Sequence, residues 1–184
     1  MMPWSVVAPH LTQADPEFKM QDFINGIYDN DLKVWAQDLI EFGDPVLIEF
    51  GPEVDGNWMP WNGQWHGTDE NNYGDPNIPD GPERFRDAYK HIIDLFKDEG
   101  VTNATWFFHV NYSPSPDESW NSIKNYYPGN EYIDWLGVSI YGPLYKGQDW
   151  SYSFSEMWNY VKPSLKDLSE DKPIAILEFG VGEI

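Results

Sequence analysis

The sequence has 184 residues, no cysteine and a formal net charge of -20 at pH 7. This length suffices for one domain with a substantial core, and the lack of cysteine excludes a disulfide framework and thiolate chemistry. The negative charge disfavours nucleic acid and anionic membranes as partners. No apolar run approaches the ~18 residues of a membrane helix, and we predict no signal peptide at Met1.

Five strands and three helices are predicted in chain order. The strands are expected at 4–8, 45–50, 104–110, 135–141 and 174–178. The helices are expected at 31–42, at 82–99 and at 153–168, where Ser153 and Glu156 form a capping-box pattern. The segments 10–30, 51–81 and 111–130 are predicted as loops.

The strands are nearly continuously apolar, which is typical of parallel strands that are covered on both faces. The long loops follow the strands and the short loops precede them, as in a TIM barrel, whose site lies at the C-terminal face. A TIM barrel needs eight strands and about 250 residues. We therefore expect a single α/β domain over residues 1–184 that is either an open doubly wound sheet or an incomplete barrel.

Two glutamates stand directly after apolar strands. Glu53 follows the strand at 45–50, and Glu178 ends the strand at 174–178. Trp58 and Trp61 follow Glu53 in a turn-rich loop. Aromatic rings stack on the apolar faces of sugars, and a pair of carboxyl groups performs glycosidic chemistry. This pattern favours a site that handles sugar.

Three segments resemble motifs of glycoside hydrolase family 26, the β-mannanases and related β-glucanases: residues 53–61 (EVDGNWMPW), 126–141 (YYPGNEYIDWLGVSIY) and 172–180 (KPIAILEFG). The resemblance implies a TIM (β/α)8 barrel that is incomplete, with about five β/α units that match strands three to seven. It implies a retaining endo-β-glycanase that acts on β-1,4-mannan or a related β-glucan, without a cofactor. A polysaccharide or oligosaccharide is the expected partner, and the parent protein is expected to be secreted.

The resemblance also assigns roles to single residues. Glu53 corresponds to the general acid/base and Glu178 to the nucleophile. Trp58 corresponds to the aromatic floor of the sugar site, and Tyr141 to a tyrosine that hydrogen-bonds the nucleophile. The family often has His directly before its acid/base, Arg four residues before it and Asn two residues after it. Here these positions hold Pro52, Glu49 and Asp55, which bears on the substrate contacts more than on the reaction type.

Several residues keep two interpretations. Trp61 and Trp65 line sugar subsites or pack the long loop. His109 and Asn111 contact sugar at the rim, or His109 is a hydrogen-bonded structural histidine. The acidic loop at 69–77 binds calcium through its oxygens or is solvated, and the lack of an EF-hand spacing favours the second. His10, His66 and His91 are not spaced as metal ligands, so no metal is predicted.

Two further expectations concern the whole chain. A non-catalytic carbohydrate-binding protein with a degenerate glycosidase site is the alternative function. An unclosed barrel also exposes sheet edges, which favours self-association. We therefore expect the isolated chain to be weakly active or inactive and to dimerise through these edges.

Overall fold

The computed structural model describes residues 18–143 and 152–182. The strands in this part are β1 (Val46–Glu49), β2 (Ala104–Asn111), β3 (Trp135–Tyr141) and β4 (Ile174–Gly180). All are parallel, in the sheet order β1-β2-β3-β4. These four strands form a half-barrel, so the prediction of an incomplete TIM barrel is confirmed. The strand predicted at 4–8 lies outside the described residues.

The helices are α1 (Met20–Ile24), α2 (Asp29–Phe42), α3 (Asp80–Asp98), α4 (Ile123–Tyr126) and α5 (Phe154–Leu168), with 3-10 turns at Gly63–Trp65 and Ser119–Asn121. Two of them, α1 and α4, lie in segments that were predicted as loops. Both are single turns held by packing of their apolar side chains, a tertiary effect that local patterns do not reveal. None of these helices is long and apolar enough to cross a membrane.

The core lies between the outer face of the sheet and the helices. The strands contribute Ile48, Trp106, Phe108 and the β3 side chains Leu136, Val138 and Ile140, all buried. They face the apolar stripe of α3, which includes Phe85, Tyr89, Ile93 and Phe96. Several rings meet edge to face, as Phe96 does with Trp106. This one-sided core leaves the inner face of the sheet for the site.

The inner face is partly open. Leu47 on β1 is 68% exposed, although it belongs to an apolar strand. A cavity of about 210 Å³ lies on this face, lined by Leu47, Ile48, Glu49, Phe107, His109, Leu177 and Glu178. In a closed barrel this volume is filled by side chains from all eight strands. The exposure of Leu47 therefore follows from the half-barrel.

A β-bulge in β4 decides where Glu178 points. The register pairs Val138 with Ile176 but Ser139 with Glu178, so Leu177 is an extra residue. The Leu177 side chain contacts the α-carbon region of Gly137, where an added Cβ would lie 2.2 Å from it. Bulges of this kind re-aim side chains next to active sites. Here Leu177 and Glu178 both face the cavity, whereas strict alternation would turn one of them away.

Candidate active site

Glu53 lies in the turn that follows β1. Its backbone is left-handed, with φ of 52°, the one non-glycine residue with positive φ among those described. This conformation costs a non-glycine residue on the order of 1 kcal/mol, and such strain clusters at functional sites. The residue is only 8% exposed, and the next residue, Val54, donates its backbone N–H to the carbonyl of His109 at 3.2 Å. The turn is thus attached to β2.

The Glu53 carboxylate is held by Trp58. The indole Nε1 of Trp58 donates a hydrogen bond to Glu53 Oε2 at 2.8 Å. The ring folds back across Gly56, where an added Cβ would lie 2.4 Å from Trp58 Cζ2. The absence of a side chain at Gly56 therefore permits this contact. The structure brings the predicted acid and the predicted aromatic floor together.

The Glu178 carboxylate is held by Tyr141. The phenol of Tyr141, at the end of β3, donates a hydrogen bond to Glu178 Oε2 at 2.8 Å. The pKa of Tyr141 is raised to about 12 by this hydrogen bond, by partial burial and by the negative charges of Glu178 and Glu53. Tyr141 therefore remains a donor at physiological pH. The negative charges of both glutamates act on the Tyr141 hydroxyl. Tyr141, Glu178 and Glu53 therefore lie at the same end of the sheet.

A hydrogen-bonded chain lies below this pair. His109 Nδ1 is 2.7 Å from Glu49 Oε2, and His109 Nε2 is 2.7 Å from Ser139 Oγ. Glu49 is therefore paired, although it stands where the family often has Arg. His109 is 2% exposed, and both of its nitrogens have partners inside the protein. These contacts favour the structural interpretation of His109 over a sugar contact.

Trp61 lies in the core. It is 8% exposed, packs edge to face against Phe18, and donates its Nε1–H to the carbonyl of Pro52 at 2.7 Å. This placement favours the packing interpretation over a sugar subsite, because both the ring and the N–H of Trp61 have partners inside the protein. By fixing the carbonyl directly before Glu53, Trp61 supports the turn from behind.

In the sequence, Asp55 is only a departure from the family motif. In the structure it is the most buried acid near the site. It is 1% exposed, and its Oδ1 accepts the backbone N–H of Asn111 at 2.7 Å. Burial raises the pKa of Asp55 to about 7, and the charge of Glu53 adds to this rise. The hydrogen bond from Asn111 and the proximity of His109 act in the opposite direction. The signal in the sequence was an acid where an amide is usual.

Asp75 in the acidic loop at 69–77 is hydrogen-bonded within the protein. Asp75 Oδ1 accepts hydrogen bonds from the backbone N–H of Asn77 at 2.9 Å and from its side chain at 2.7 Å. Glu83 Oε1 and Oε2 accept the backbone N–H of Asp75 at 3.1 and 3.0 Å. Residues 18–143 and 152–182 contain no group of three or more His, Cys, Asp or Glu side chains arranged to hold a metal ion.

The profile of glycosyl hydrolase family 26 matches residues 12–171. The chain belongs to this family. The matched range contains Glu53, Trp58 and Tyr141, and Glu178 follows it on β4. The glycosidase class that the strand-end glutamates suggested is therefore shown at the level of the family.

Relatives of this family 26 chain carry several glycan specificities. It is 29% identical over 171 residues to endoglucanase H of Acetivibrio thermocellus. This match covers 91% of this chain and 17% of the relative. It is 28% identical over 125 residues to the β-1,3-xylanase TXYA of a Vibrio species, covering 68% of this chain and 23% of the relative. The chain thus spans under a quarter of the length of these two relatives.

Solved structures of family 26 β-mannanases share the fold. One comes from a symbiotic protist of the termite Reticulitermes speratus, in complex with a gluco-manno-oligosaccharide. It has a TM-score of 0.61 and 23% identity, and the match covers 96% of this chain and 48% of that one. The endo-β-1,4-mannanase catalytic domain of Bacillus sp. JAMB-750 has a TM-score of 0.63 and 20% identity, covering 87% and 40%. Nearly all of this chain therefore corresponds to less than half of either enzyme, as a half-barrel requires.

Proposed function

We propose that this chain carries the catalytic pair of a retaining endo-β-glycanase that acts on β-1,4-mannan or a related β-glucan. Glu178 is the nucleophile and Glu53 the general acid/base. Trp58 forms the floor of the sugar site. Since a polysaccharide substrate is too large to enter cells intact, we also propose that the parent protein works outside the cell.

The observation that carries this proposal is the position of Tyr141. Its hydroxyl hydrogen-bonds Glu178 on β4 and is influenced by the charge of Glu53 in the turn after β1, which supports a site that both carboxylates share. Retaining glycosidases need such a pair about 5–5.5 Å apart, with one member as nucleophile and the other as acid/base. The β4 bulge and the left-handed turn at Glu53 are the two local distortions that aim these side chains.

The reaction follows from these positions in two steps. Glu178 attacks the anomeric carbon while Glu53 gives its proton to the leaving glycosidic oxygen, and a covalent glycosyl-enzyme forms. Glu53, now ionised, then takes a proton from water, which attacks the same carbon and releases Glu178. Tyr141 stabilises the Glu178 carboxylate before attack and after release. The indole N–H of Trp58 fixes one oxygen of Glu53, which leaves the other to face the substrate.

The stereochemistry of the product tests the reaction type. In a protein that supplies the complete barrel, ¹H NMR of freshly formed product from β-manno-oligosaccharides is expected to show the β-anomer first. Parallel incubations with β-1,4-glucan and β-1,3-xylan decide among the specificities seen in relatives. An α-anomer as first product contradicts the double displacement, because one inversion then replaces two.

A non-catalytic carbohydrate-binding function is the second candidate. It is favoured by one observation: Glu49, an acid at a position where the family often has a cation, lines the same cavity as Glu178. Calorimetric titration with manno-oligosaccharides, together with an assay for reducing sugar, separates the two functions. Binding without release of reducing ends supports the second candidate.

Tyr141→Phe is expected to lower kcat/KM by about 10–100-fold, the value of one hydrogen bond to a charged group. The substitution keeps the ring and its packing but removes the donor to Glu178. Kinetics on β-manno-oligosaccharides measure the effect, and Tyr132→Phe, a tyrosine that bonds Asp94 on the protein surface, is the matched control. Equal activities of Tyr141→Phe and wild type contradict a role for this contact.

Self-association of the isolated chain is expected to depend on salt. Among the described residues β1 and β4 are the edges of the sheet, and open edges pair with other strands. The net charge of -20 repels a second copy at low ionic strength, and salt screens this repulsion. Sedimentation velocity is expected to show dimer increasing between about 0.05 and 0.5 M NaCl. A monomer at every salt concentration contradicts the expectation.

A further inference from the structure

The mechanism proposed above leaves one buried acid unused. Asp55 Oδ2 is buried and has no hydrogen-bond partner within residues 18–143 and 152–182. A buried carboxylate oxygen without a partner is costly, and proteins usually avoid the cost by keeping the group protonated. Such a group two residues from the proposed acid/base calls for a functional explanation.

Asp55 anchors the turn that carries Glu53. Its Oδ1 accepts the backbone N–H of Asn111 at 2.7 Å. Its own carbonyl accepts the backbone N–H of Ser115 at 2.9 Å and the side-chain amide of Asn121 at 2.8 Å. These three bonds tie the residue to the end of β2 and to the loop that follows. The position of Glu53 therefore depends on how Asp55 is held.

A groove between two helices reaches Asp55. It has a volume of about 500 Å³ and lies between α4 and α5, with Asn121, Ser122, Tyr160 and Ser164 among its walls. It shares no lining residue with the cavity that Glu178 lines. Protons can thus reach Asp55 along a polar path that a bound glycan would not block.

The charged and titratable groups around Asp55 come from several elements. Glu53 on the same turn, His109 on β2 and Tyr126 on α4 interact with it electrostatically. The groove adds Tyr112, Asp117, Glu118, Lys124, Tyr160 and Asp167. Of these, Glu53 is the group whose protonation the reaction needs.

We propose that Asp55 is a positioning residue for Glu53, and that it fulfils this role as a neutral, buried anchor. This inference rests on the proposed role of Glu53. Below about pH 7 Asp55 is neutral and acts only as an anchor. Above that pH it carries a buried negative charge whose Oδ2 has no hydrogen-bond partner among the described residues, which destabilises the turn that carries Glu53. We therefore expect activity to decline as Asp55 ionises.

Two substitutions separate the anchor from the charge. Asp55→Asn keeps an oxygen for the Asn111 N–H and stays neutral, so the anchor survives above pH 7 and the basic limb of the pH profile of kcat/KM is expected to move up by about 0.5–1 pH unit. Asp55→Ala removes the anchor as well, so the plateau of kcat is expected to fall by about 10–100-fold. Asp167→Asn on α5 changes a charge in the same groove and is the matched control, with an unchanged basic limb.

The stability of the isolated chain gives a readout that needs no activity. The folded-state pKa of Asp55 is raised, so its contribution to stability is complete below about pH 4 and is lost as pH rises to about 7. In urea unfolding, the folding constant of Asp55→Asn relative to wild type is expected to rise by up to about tenfold per pH unit between about pH 4 and pH 7. Asp167→Asn is expected to show no such slope.

The outcomes distinguish this inference from the proposed function. If Asp55→Asn follows wild type in both the basic limb and the pH slope of stability, the inference is overturned. If substitution of Glu53 or Glu178 leaves hydrolysis intact, the proposed function fails regardless of Asp55. A basic limb shifted upward together with a stability slope supports the inference, and a slope without a shifted limb contradicts the positioning role.

Discussion

Replacement of Glu178 by glutamine is expected to lower kcat by about 10⁴-fold or more, as loss of an enzymatic nucleophile does elsewhere. Glutamine has nearly the same shape and still offers an oxygen to Tyr141, so the fold and the contact of 2.8 Å are expected to persist. What disappears is the charge and the capacity to form a glycosyl-enzyme. The measurement is hydrolysis of β-manno-oligosaccharides in a protein that supplies the complete barrel.

An external nucleophile sharpens this test. In Glu178→Ala the space of the carboxylate is empty, and azide is expected to attack the anomeric carbon from that side, giving an α-glycosyl azide from a β-glycoside by single inversion. Glu170→Gln, an exposed glutamate near the end of α5, is the matched control and should retain wild-type activity. More than a tenth of wild-type activity in Glu178→Gln contradicts the assignment of the nucleophile.

Replacement of Glu53 by glutamine is expected to lower kcat on natural glycans by about 10²–10⁴-fold, the usual contribution of general acid–base catalysis. The effect should depend on the leaving group, because an aryl glycoside with an acidic phenol departs without a proton. The glutamine side chain still accepts the hydrogen bond from the Trp58 indole. The measurement is the loss of rate in Glu53→Gln on a natural oligosaccharide, divided by the loss of rate on a nitrophenyl glycoside.

Rescue by azide also distinguishes the role of Glu53 from that of Glu178. In Glu53→Ala the nucleophile still forms the glycosyl-enzyme, so azide is expected to attack in place of water and to yield a β-glycosyl azide by double inversion. The opposite stereochemistry of the two rescued variants identifies each glutamate by its role. If both substrates slow equally in Glu53→Gln, Glu53 does not act as the proton donor.

The sequence predicted the larger elements because their patterns are long and regular. The α3 stripe is strongly periodic, the strands β1 to β4 are nearly continuous apolar runs, and the helix following Ser153 has a capping box that the structure confirms. Glu53 and Glu178 were placed at strand ends by the same patterns. Their roles came from the family resemblance, not from periodicity.

The remaining features depend on contacts between distant segments. The bulge at Leu177 arises from pairing with β3, which no local pattern encodes. Trp61 resembled a sugar-stacking residue because it lies in a loop rich in glycine and proline. In the structure it is buried, with its N–H bonded to the carbonyl of Pro52 and its ring packed against Phe18. Asp55 became informative only when its burial was known, since an exposed aspartate in a turn is ordinary.

The extra residue in β4 lets the strand meet two requirements separately: packing before the bulge and the orientation of Glu178 after it. Up to Ile176 the strand keeps the two-residue rhythm that its neighbours need for packing, and after Leu177 the rhythm resumes in the opposite phase, with Glu178 opposite Ser139. An idealised redesign that smoothed this irregularity would preserve every hydrophobic position before it. It would also rotate the carboxylate of Glu178, the proposed nucleophile, away from the inner cavity, and we expect such a protein to fold without gaining activity.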